Sequence, residues 1–543
     1  MFTVEMNSKV IKYDAPIRLD ALLRDRFSKY AVGAWVDGRL CELTKFADHN
    51  CKVDAVTLEC EDGVRIYLRT LKFVFIMAVN KLYPGCAVKF LYGLSRGQYC
   101  EINGIGLDSE AVRRIEDEMR SLIKQDIPFE RIKVSKEKAE QIYNDAGYLD
   151  KTELLKYRPE DEVNLYRCAN VVNYLYGHMM PSTGYLRTFK LHFHSPGIVI
   201  MYPRHELGGA VPDFEQSVKF DKTLWNAQNW GKTTGVSNIS QLNKLIDNGR
   251  IADLINMSEI RHENEIEHMA CEIADGIRHN RVILIAGPSS SGKTTLSRKL
   301  KAHLAVKGIR AMPLSTDDYY KNRSEIPVDE DGNIDLEHID TIDVQRFNKD
   351  LLSLIKGDEV QLPSYDFTSG KRSVGDPISI GRDECIIVEG IHGLNEALTG
   401  LIPRYNKYKI YISALSHIGI DDHTPVSTTT ARLIRRIVRD NSFRGASIEE
   451  TLDMWQSVRR GEFRWIYPFQ EEADYIFNSE VTYELAVLKK YIMPLIDSVK
   501  ADNKYFAKIN SISKVMKYVR SIEDDLVPSN SILREFIGGS TYK

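Results

Sequence analysis

Apolar runs of strand length alternate with helical patterns through the second half of the chain. The run at 282–286, Val-Ile-Leu-Ile-Ala, is followed by a glycine-rich loop and then by leucines at 296, 300 and 304. Leucines four residues apart share one face of a helix, and Gly308 follows where a left-handed C-terminal cap is expected. Further β-rich runs cover 311–314, 385–389, 409–413 and 475–478. Strands that alternate with helices predict an α/β fold with a mainly parallel sheet.

The first half of the chain has a different pattern. Residues 1–60 alternate polar and apolar positions as short strands do, and a mixed α and β pattern continues to about Arg204. The segment HELGGAVPDFEQ at 205–216 carries Gly-Gly and Pro-Asp turn signals, and residues 237–278 look helical. We predict five segments: a β-rich domain at 1–60, an α+β domain at 61–204, a junction and helical linker at 205–278, an α/β domain at 279–498 and a helical tail at 499–543.

Composition narrows the function class. The chain has 543 residues, too many for one hydrophobic core, and its formal net charge of −3 gives no broad basic surface for nucleic acid. Any RNA contact would have to be local. The eight cysteines include no C-x-x-C pair, so a zinc ribbon or a disulfide framework is not indicated. The N-terminus lacks the pattern of a signal peptide, and no apolar stretch is long enough to span a bilayer. We expect a cytoplasmic protein without membrane contact.

Residues 287–294 read GPSSSGKT, a complete phosphate-binding loop between a predicted strand and a predicted helix. Glycines allow backbone N–H groups to approach phosphates closely, and the helix N-terminus favours negative charge. Lys293 would reach the β and γ phosphates of ATP, and the Thr294 hydroxyl would bind Mg²⁺. A glycine- and serine-rich turn with an exposed lysine is the plain alternative. The predicted nucleotide-binding residues are Gly287, Ser289, Ser290, Ser291, Gly292, Lys293, Thr294 and Thr295.

Acidic residues follow two of the later strands. Asp317 comes directly after the strand at 311–314, where a carboxylate could accept a proton from an attacking hydroxyl. Glu389 closes the strand at 385–389, where a carboxylate could orient Mg²⁺ together with Thr294. An aspartate capping a helix or turn and an ordinary loop glutamate are the alternatives.

Basic and aromatic residues complete the set of candidates. Arginines at 432, 435, 436 and 439 share one helix face, which predicts either a solvated basic face or a lid that stabilises transferring phosphate. The stretch PSYDF at 363–367 offers an aromatic ring and an acid that could hold a ribose or a base, or else a turn and a core aromatic.

These residues together resemble the uridine/cytidine kinases of the phosphoribulokinase-like P-loop group. The matching stretches are GPSSSGKTT, LSTDDYY, LEHIDTID, LPSYDFTSGKR, IIVEGIHGL, RLIRRIVRDNSFRG and EEADYIF, over residues 280–480. The resemblance implies phosphorylation of a nucleoside 5′-hydroxyl by ATP, with Asp317 as general base and Mg²⁺ at Thr294 and Glu389. It implies that Lys293, Arg435, Arg439 and Arg444 surround the phosphates and that Tyr320, Glu337, Tyr365 and Arg372 contact the acceptor.

The chain departs from this family at positions that would read the acceptor. Gly370 stands where a base-reading histidine is expected, and Glu337 stands where the family has a ribose-binding aspartate. Ala446 replaces an arginine of the lid motif and Met454 replaces a glutamine. A pocket cannot discriminate through hydrogen bonds that it no longer makes. The acceptor is therefore open between a nucleoside and another small alcohol, such as a sugar phosphate or a pantothenate-like molecule.

The first 204 residues resemble a TGS domain (1–60), which implies a β-grasp-like fold, followed by the editing-type domain of threonyl- and alanyl-tRNA synthetases (61–204). The catalytic or metal-binding positions of such an editing domain are occupied by Arg69, Phe73, Leu175 and Met179. Apolar or cationic side chains there predict a domain without metal or editing activity. The histidines at 178, 192 and 194 are expected to face solvent or hydrogen-bond. An ATP-switched RNA-binding or regulatory protein is the alternative function, and self-association is expected by resemblance.

Overall fold

The first part of the protein is a β-sheet of five strands with one short helix. The computed structural model describes residues 1–24, 30–322, 325–326, 335, 337–366, 371–500 and 502–542. The first elements are β1 (Phe2–Met6), β2 (Lys9–Tyr13), β3 (Ile17–Arg18), α1 (Leu19–Arg24), β4 (Ala31–Val36), β5 (Arg39–Cys41), β6 (Phe46–Ala47) and β7 (Cys51–Thr57). The sheet has the order β2-β1-β7-β4-β5, with β1 parallel to β7. Phe2, Val4 and Met6 alternate into its core, so the predicted strand alternation is confirmed.

A long buried helix and two antiparallel sheets follow. The elements are α2 (Glu61–Leu82), β8 (Ala87–Leu94), β9 (Gly97–Asn103), α3 (Ser109–Lys124), β10 (Glu130–Ser135), α4 (Lys136–Asp145), α5 (Leu149–Leu155), β11 (Glu162–Cys168), β12 (Val171–Asn173), β13 (Lys190–His194) and β14 (Gly197–Met201). One sheet has the order β13-β14-β9-β8 and the other β10-β11-β12. The predicted mixture of α and β structure up to Arg204 is confirmed.

Three helices connect this part to the second half: α6 (Val218–Thr234), α7 (Ile239–Asp247) and α8 (Ile251–Asp275). The helical region begins earlier than the sequence pattern predicted, at Val218. Helix α8 packs beside the helix that follows the phosphate-binding loop. Lys299 of that helix forms a 2.6 Å ion pair with Glu263 of α8.

The second half is built on a five-stranded sheet. Its elements are β15 (Val282–Ala286), α9 (Lys293–Val306), β16 (Ala311–Ser315), α10 (Val344–Lys356), β17 (Val360–Asp366), β18 (Lys371–Ile378), β19 (Cys385–Glu389), β20 (Lys407–Ser413), β21 (Gly419–Asp421), β22 (Thr424–Pro425), α11 (Thr428–Arg444), α12 (Ile448–Trp465), β23 (Tyr475–Asn478) and α13 (Glu484–Asp497). The sheet order is β16-β19-β15-β20-β23, and every pairing is parallel. The α/β prediction is confirmed, and all four later β-rich runs lie in this sheet.

The C-terminal tail is part of the core. It contains α14 (Phe506–Met516) and α15 (Arg534–Ile537). Its buried Ile512 and Phe536 belong to the same apolar core as α11 and α13. Lys508 also pairs with Glu61 of α2 at 2.8 Å. The tail therefore packs against both halves, while the five segment boundaries drawn from the sequence stay a prediction.

The two halves also contact each other directly. Lys151 of α5 forms a buried ion pair with Asp421 of β21. The backbone N–H of Phe90 donates to the carbonyl oxygen of Asp422 at 2.8 Å. Within the described residues, no helix combines the length and the apolar character that crossing a bilayer requires.

Candidate functional site

The loop between β15 and α9 has a shape that glycine makes possible. A Cβ atom on Gly287 would lie 2.0 Å from the carbonyl oxygen of Ile412, and Gly292 has a φ of 94°. The hydroxyls of Ser290 and Ser291 are buried, and neither has a hydrogen-bond partner in the described part of the chain. A glycine loop at a helix N-terminus with unsatisfied donors fits an anionic ligand.

Lys293, the first residue of α9, is folded back over the loop. Its Nζ donates to the carbonyl oxygens of Gly287 at 2.9 Å and Pro288 at 3.3 Å. Burial lowers the pKa of Lys293, and the nearby carboxylate of Glu389 opposes that shift. A phosphate bound at the loop would give the Lys293 ammonium group a charged acceptor, which forms a stronger hydrogen bond than a neutral carbonyl oxygen does.

Thr294 and Glu389 meet at the carboxyl edge of the sheet. The Thr294 hydroxyl donates to a Glu389 carboxylate oxygen at 2.9 Å. Burial raises the pKa of Glu389, and the Thr294 hydrogen bond and Lys293 oppose that shift. No group of three or more His, Cys, Asp or Glu side chains in the described residues could hold a metal alone. In phosphoryl-transfer sites Mg²⁺ takes one or two carboxylates and completes its shell with phosphate oxygens and water, so this pair fits that ion.

Asp317 stands on the strand beside Glu389. Strand β16 ends at Ser315, which is in register with Glu389, and a short 3₁₀ turn carries Asp317 beyond the sheet edge. The Ser315 hydroxyl accepts a hydrogen bond from the Asp317 backbone N–H at 3.2 Å. The pKa of the Asp317 carboxyl is raised because the cleft limits its hydration, while Lys293 opposes the shift. The sequence-predicted set of Lys293, Thr294, Glu389 and Asp317 therefore comes together at one edge.

The predicted acceptor residues divide into an aromatic pair and a structural arginine. The rings of Tyr320 and Tyr365 lie 5.7 Å apart at an interplanar angle of 38°, and Ile326 packs with them. Arg372 donates to the carbonyl oxygen of Tyr320 at 3.0 Å and to Asp343 at 3.1 Å. Its guanidinium thus holds the chain around the tyrosines.

Glu337 lies beside helix α12. A Cβ on Gly461 of that helix would be 2.4 Å from the Cβ of Glu337, so the glycine makes the close approach possible. Burial and the carboxylate of Glu462 together raise the pKa of Glu337 to about 7, although the charge of Arg436 opposes the shift. Gly370, the expected base-reading position, lies outside the described residues. Met454 is 45% exposed on α12.

The arginine face of α11 divides between two neighbours. Arg432 donates to the Ser289 carbonyl oxygen at 2.9 Å, and Arg436 donates to the Ser289 hydroxyl at 2.8 Å. The guanidinium of Arg435 instead pairs with Glu484 and donates to the Ser479 carbonyl oxygen at 2.9 Å. The expectation that Arg435 surrounds the phosphates does not fit these contacts. Four arginines at this spacing cover an arc of about 100°, wide enough for its two sides to meet different partners.

Arg439 and Arg444 share one carboxylate. Arg439 pairs with Asp440 at 2.7 Å and Arg444 pairs with the same residue at 3.5 Å. Burial and the charge of Arg439 lower the pKa of Arg444, while Asp317 opposes the shift. Arg444 therefore lies within the electrostatic reach of the Asp317 cleft, and its role at the phosphates stays a prediction.

One residue of this site was missed by the sequence interpretation, which gave the tail no chemical role. The Glu535 carboxylate accepts hydrogen bonds from the Thr295 backbone N–H at 3.1 Å and from the Thr295 hydroxyl at 2.7 Å. Thr295 lies in the first turn of α9, where backbone donors bind phosphate. No local sequence signal could have paired two residues that lie so far apart in the chain.

The front half holds no metal site among its described residues. Phe73, Leu175 and Met179 are buried in its apolar core, and Arg69 lines a cavity. The three histidines singled out in this half contact other side chains. His178 forms a hydrogen bond with Glu42 at 3.3 Å, and His194 forms one with Asp221 at 2.6 Å. His192 stacks on Phe214, with ring centroids 4.0 Å apart.

Comparison with known proteins follows the same division of the chain. Residues 282–486 match the model of the Phosphoribulokinase / Uridine kinase family. This segment is a kinase-family domain.

The N-terminal region matches threonine–tRNA ligases in their editing region. The ligase of Thermotoga petrophila is 32% identical over 189 residues, which are 34% of this chain and 29% of the ligase. The ligase of Clostridium kluyveri is 30% identical over 190 residues, 35% of this chain and 29% of the ligase. The chain spans less than a third of the length of these relatives.

Two solved structures are also similar to part of this chain. The possible uridine kinase from Bacillus stearothermophilus is 20% identical and covers 40% of this chain and 100% of its own, with a TM-score of 0.27. D-glycerate 3-kinase from Cryptococcus neoformans var. grubii serotype A is 15% identical and covers 50% of this chain and 87% of its own, with a TM-score of 0.22. We infer nothing about the acceptor from them.

Replacing Glu535 by Gln should strengthen ATP binding. Gln keeps the size of the side chain but removes a negative charge from the donors that phosphate would use, so the affinity for Mg-ATP should rise by about three- to tenfold. Titration of the nucleotide into the full-length protein measures the change. Glu523→Gln, in the exposed part of the same tail, should bind ATP as the wild type does. Weaker binding by Glu535→Gln would show that the carboxylate supports the loop instead of competing for it.

Glu337 should make stability depend on pH. Its folded-state pKa of about 7 lies above its ordinary value near 4.5. The folded protein therefore binds a proton more tightly than the unfolded chain, and stability falls as pH rises from about 4.5 to about 7. Glu337→Gln should not show this loss of stability with rising pH. Its melting temperature should therefore exceed that of the wild type at pH 8 but not at pH 4. The exposed Glu359→Gln serves as control, and an equal difference at both pH values would contradict the assignment.

Proposed function

We propose that the protein transfers the γ-phosphate of ATP to the 5′-hydroxyl of a nucleoside. The observation that carries the proposal is the meeting of Lys293, Thr294, Glu389 and Asp317 at the carboxyl edge of a parallel sheet, which is where ligands of α/β proteins bind. The family match over 282–486 supports a phosphotransferase. In this class of reaction the protein contributes mainly positioning and electrostatic stabilisation.

The donor side of the reaction is assigned to the loop and its neighbours. The loop amides and Lys293 bind the β and γ phosphates, and Arg436 and Arg444 approach from α11. Thr294 and Glu389 would hold Mg²⁺, whose charge would offset the negative charge on the phosphate oxygens during transfer. Binding of ATP replaces the carbonyl contacts of Lys293 with phosphate contacts, and Glu535 leaves the Thr295 donors.

The acceptor side is assigned to Asp317. Its carboxylate accepts the proton of the attacking hydroxyl, and a raised pKa improves a carboxylate as a base near neutral pH. The aromatic pair of Tyr320 and Tyr365 supports a ring-bearing acceptor, since a flat apolar wall packs well against a base or a sugar. Glu337, whose pKa is about 7, can present either a donor or an acceptor to a hydroxyl group.

A second acceptor class is a small alcohol without a base, such as a sugar phosphate or a pantothenate-like molecule. The observation that favours it is the lack of polar base readers at the expected places: Met454 faces solvent, and Arg372 is engaged with Asp343. A site without such readers has less power to reject alternative alcohols.

Two substitutions separate the roles of the site. Lys293→Ala should abolish turnover because it removes the cation at the transferring phosphate. Asp317→Asn should lower kcat by about 10²–10⁴-fold while leaving the dissociation constant of ATP within about threefold, since it removes only the proton acceptor. Steady-state kinetics and ATP titration measure the two effects. The exposed Asp340→Asn is the control, and wild-type kcat in Asp317→Asn at saturating acceptor would exclude the general-base role.

The acceptor is identified by ADP release from Mg-ATP across ribonucleosides, deoxyribonucleosides, pantothenate and ribulose 5-phosphate. A nucleoside-dependent signal that disappears in Lys293→Ala is the expected result. A signal with one of the other alcohols would select the second acceptor class. If no acceptor of the panel causes ADP release by protein that still binds ATP, the result would instead support an ATP-switched role of the synthetase-like front half, such as RNA binding.

A further inference from the structure

A cavity of about 1010 Å³ lies between the front half and the kinase half, away from the phosphate-binding loop. Its walls come from α2, from the β21–β22 hairpin, from α12 and from α14 of the tail. None of the candidate kinase residues lines it. The volume is sufficient for a ligand of nucleotide size.

Three of the cations that line this cavity are buried or half-buried and have no carboxylate partner among the described residues. Arg69 and Lys72 project from α2 and Lys514 projects from α14, and none forms an ion pair or hydrogen bond with any described residue. Lys72 is only 6% exposed, and its Nζ lies 4.2 Å from the centroid of the Phe90 ring. Gly177 makes room for Arg69, since a Cβ there would lie 2.2 Å from the guanidinium carbon. The three cations form what we call the cation cluster.

Two carboxylates on the same wall already pair with other cations. Glu61 already pairs with Arg65 and Lys508, at 2.5 Å and 2.8 Å, and Glu206 pairs with Arg204 at 2.9 Å. Burial lowers the pKa of Lys72 to about 7 and that of Lys514 to about 8. For Lys514 the charges of Arg69 and Lys517 lower it further. Asp421, whose charge acts on Lys72, already pairs with Lys151. A buried cation without an ion pair of its own destabilises the fold, so an anion bound in the cavity would stabilise the cluster.

Neutral donors and rings complete the lining. The Thr424 hydroxyl and the Trp455 indole N–H are buried, and neither has a hydrogen-bond partner among the described residues. Phe463, Tyr176 and Tyr202 also line the cavity. Unsatisfied donors beside cations suit phosphate oxygens, and aromatic faces suit a heterocycle.

We propose that the cavity binds a small ligand that carries two or more phosphate groups, such as a nucleoside di- or triphosphate. Three enclosed cations match two or three phosphate charges. A nucleic-acid strand would need a basic track along the surface, and the net charge of the chain is −3. The ligand supplies the counter-ions that the cluster lacks and joins α2 of the front half to α14 and α12 of the second half. The site is independent of the proposed kinase activity.

The test is thermal unfolding of the full-length protein with inorganic tripolyphosphate and with ATP as probes. Lys72→Met should raise the melting temperature of the free protein, because an unpaired buried charge is removed, and should weaken binding of the probe by about tenfold or more. A purely structural lysine would give the opposite change in the free protein. Arg69→Met should behave in the same way. Lys81→Met, at the exposed end of the same helix, should leave both quantities unchanged.

Lys293→Ala separates this cavity from the phosphate-binding loop. The stabilisation by tripolyphosphate that persists in Lys293→Ala should disappear when Lys72→Met is added to that variant. Loss of the effect in Lys293→Ala together with its retention in Lys72→Met would overturn the proposal, because the probe would then bind only at the loop. An RNA oligonucleotide that binds in a Lys72-dependent manner, without competition from tripolyphosphate, would equally overturn it in favour of a nucleic-acid site.

Discussion

The buried guanidinium of Arg432 holds together the elements on which the kinase site depends. It donates to the Ser289 carbonyl oxygen of the phosphate-binding loop at 2.9 Å and pairs with Glu462 of α12. Neither side chain has exposed surface, and Glu462 also pairs with Arg459, so the buried charge of Arg432 depends on this carboxylate. Removing one partner of such a pair costs about 3–5 kcal/mol. The loop, α11 and α12 therefore keep a fixed relation before any ligand binds.

Around that fixed frame, the site gathers three carboxylates whose hydration is limited. Asp317, Glu337 and Glu389 all have raised pKa values, each mainly because hydration is limited. Lys293 opposes the shift in all three, Arg436 also opposes it in Glu337, and Arg444 also opposes it in Asp317. Mg²⁺ at Glu389 would add positive charge next to this group, which is the condition under which ATP phosphates can approach carboxylates. Limited hydration likewise shifts the pKa values of Lys72 and Lys514 in the cation cluster between the two halves.

The sequence predicted what local patterns determine. Strand β15, the loop and α9 follow from an apolar run, two glycines and a leucine spacing, and Glu389 and Asp317 follow from their positions at strand ends. The division of the arginine face could not be predicted, because helical spacing fixes a direction but not the neighbour found there. Glu535 and the cation cluster depend on packing between segments far apart in the chain, for which a single sequence gives no signal.

The most direct test of the central claim is transfer of label from [γ-³²P]ATP by the full-length protein in the presence of a ribonucleoside. Products are separated so that nucleoside 5′-monophosphate is distinguished from inorganic phosphate. The account predicts label in the 5′-monophosphate of at least one nucleoside and its absence with Lys293→Ala. Label found only in inorganic phosphate, whichever nucleoside is supplied, would contradict a nucleoside kinase.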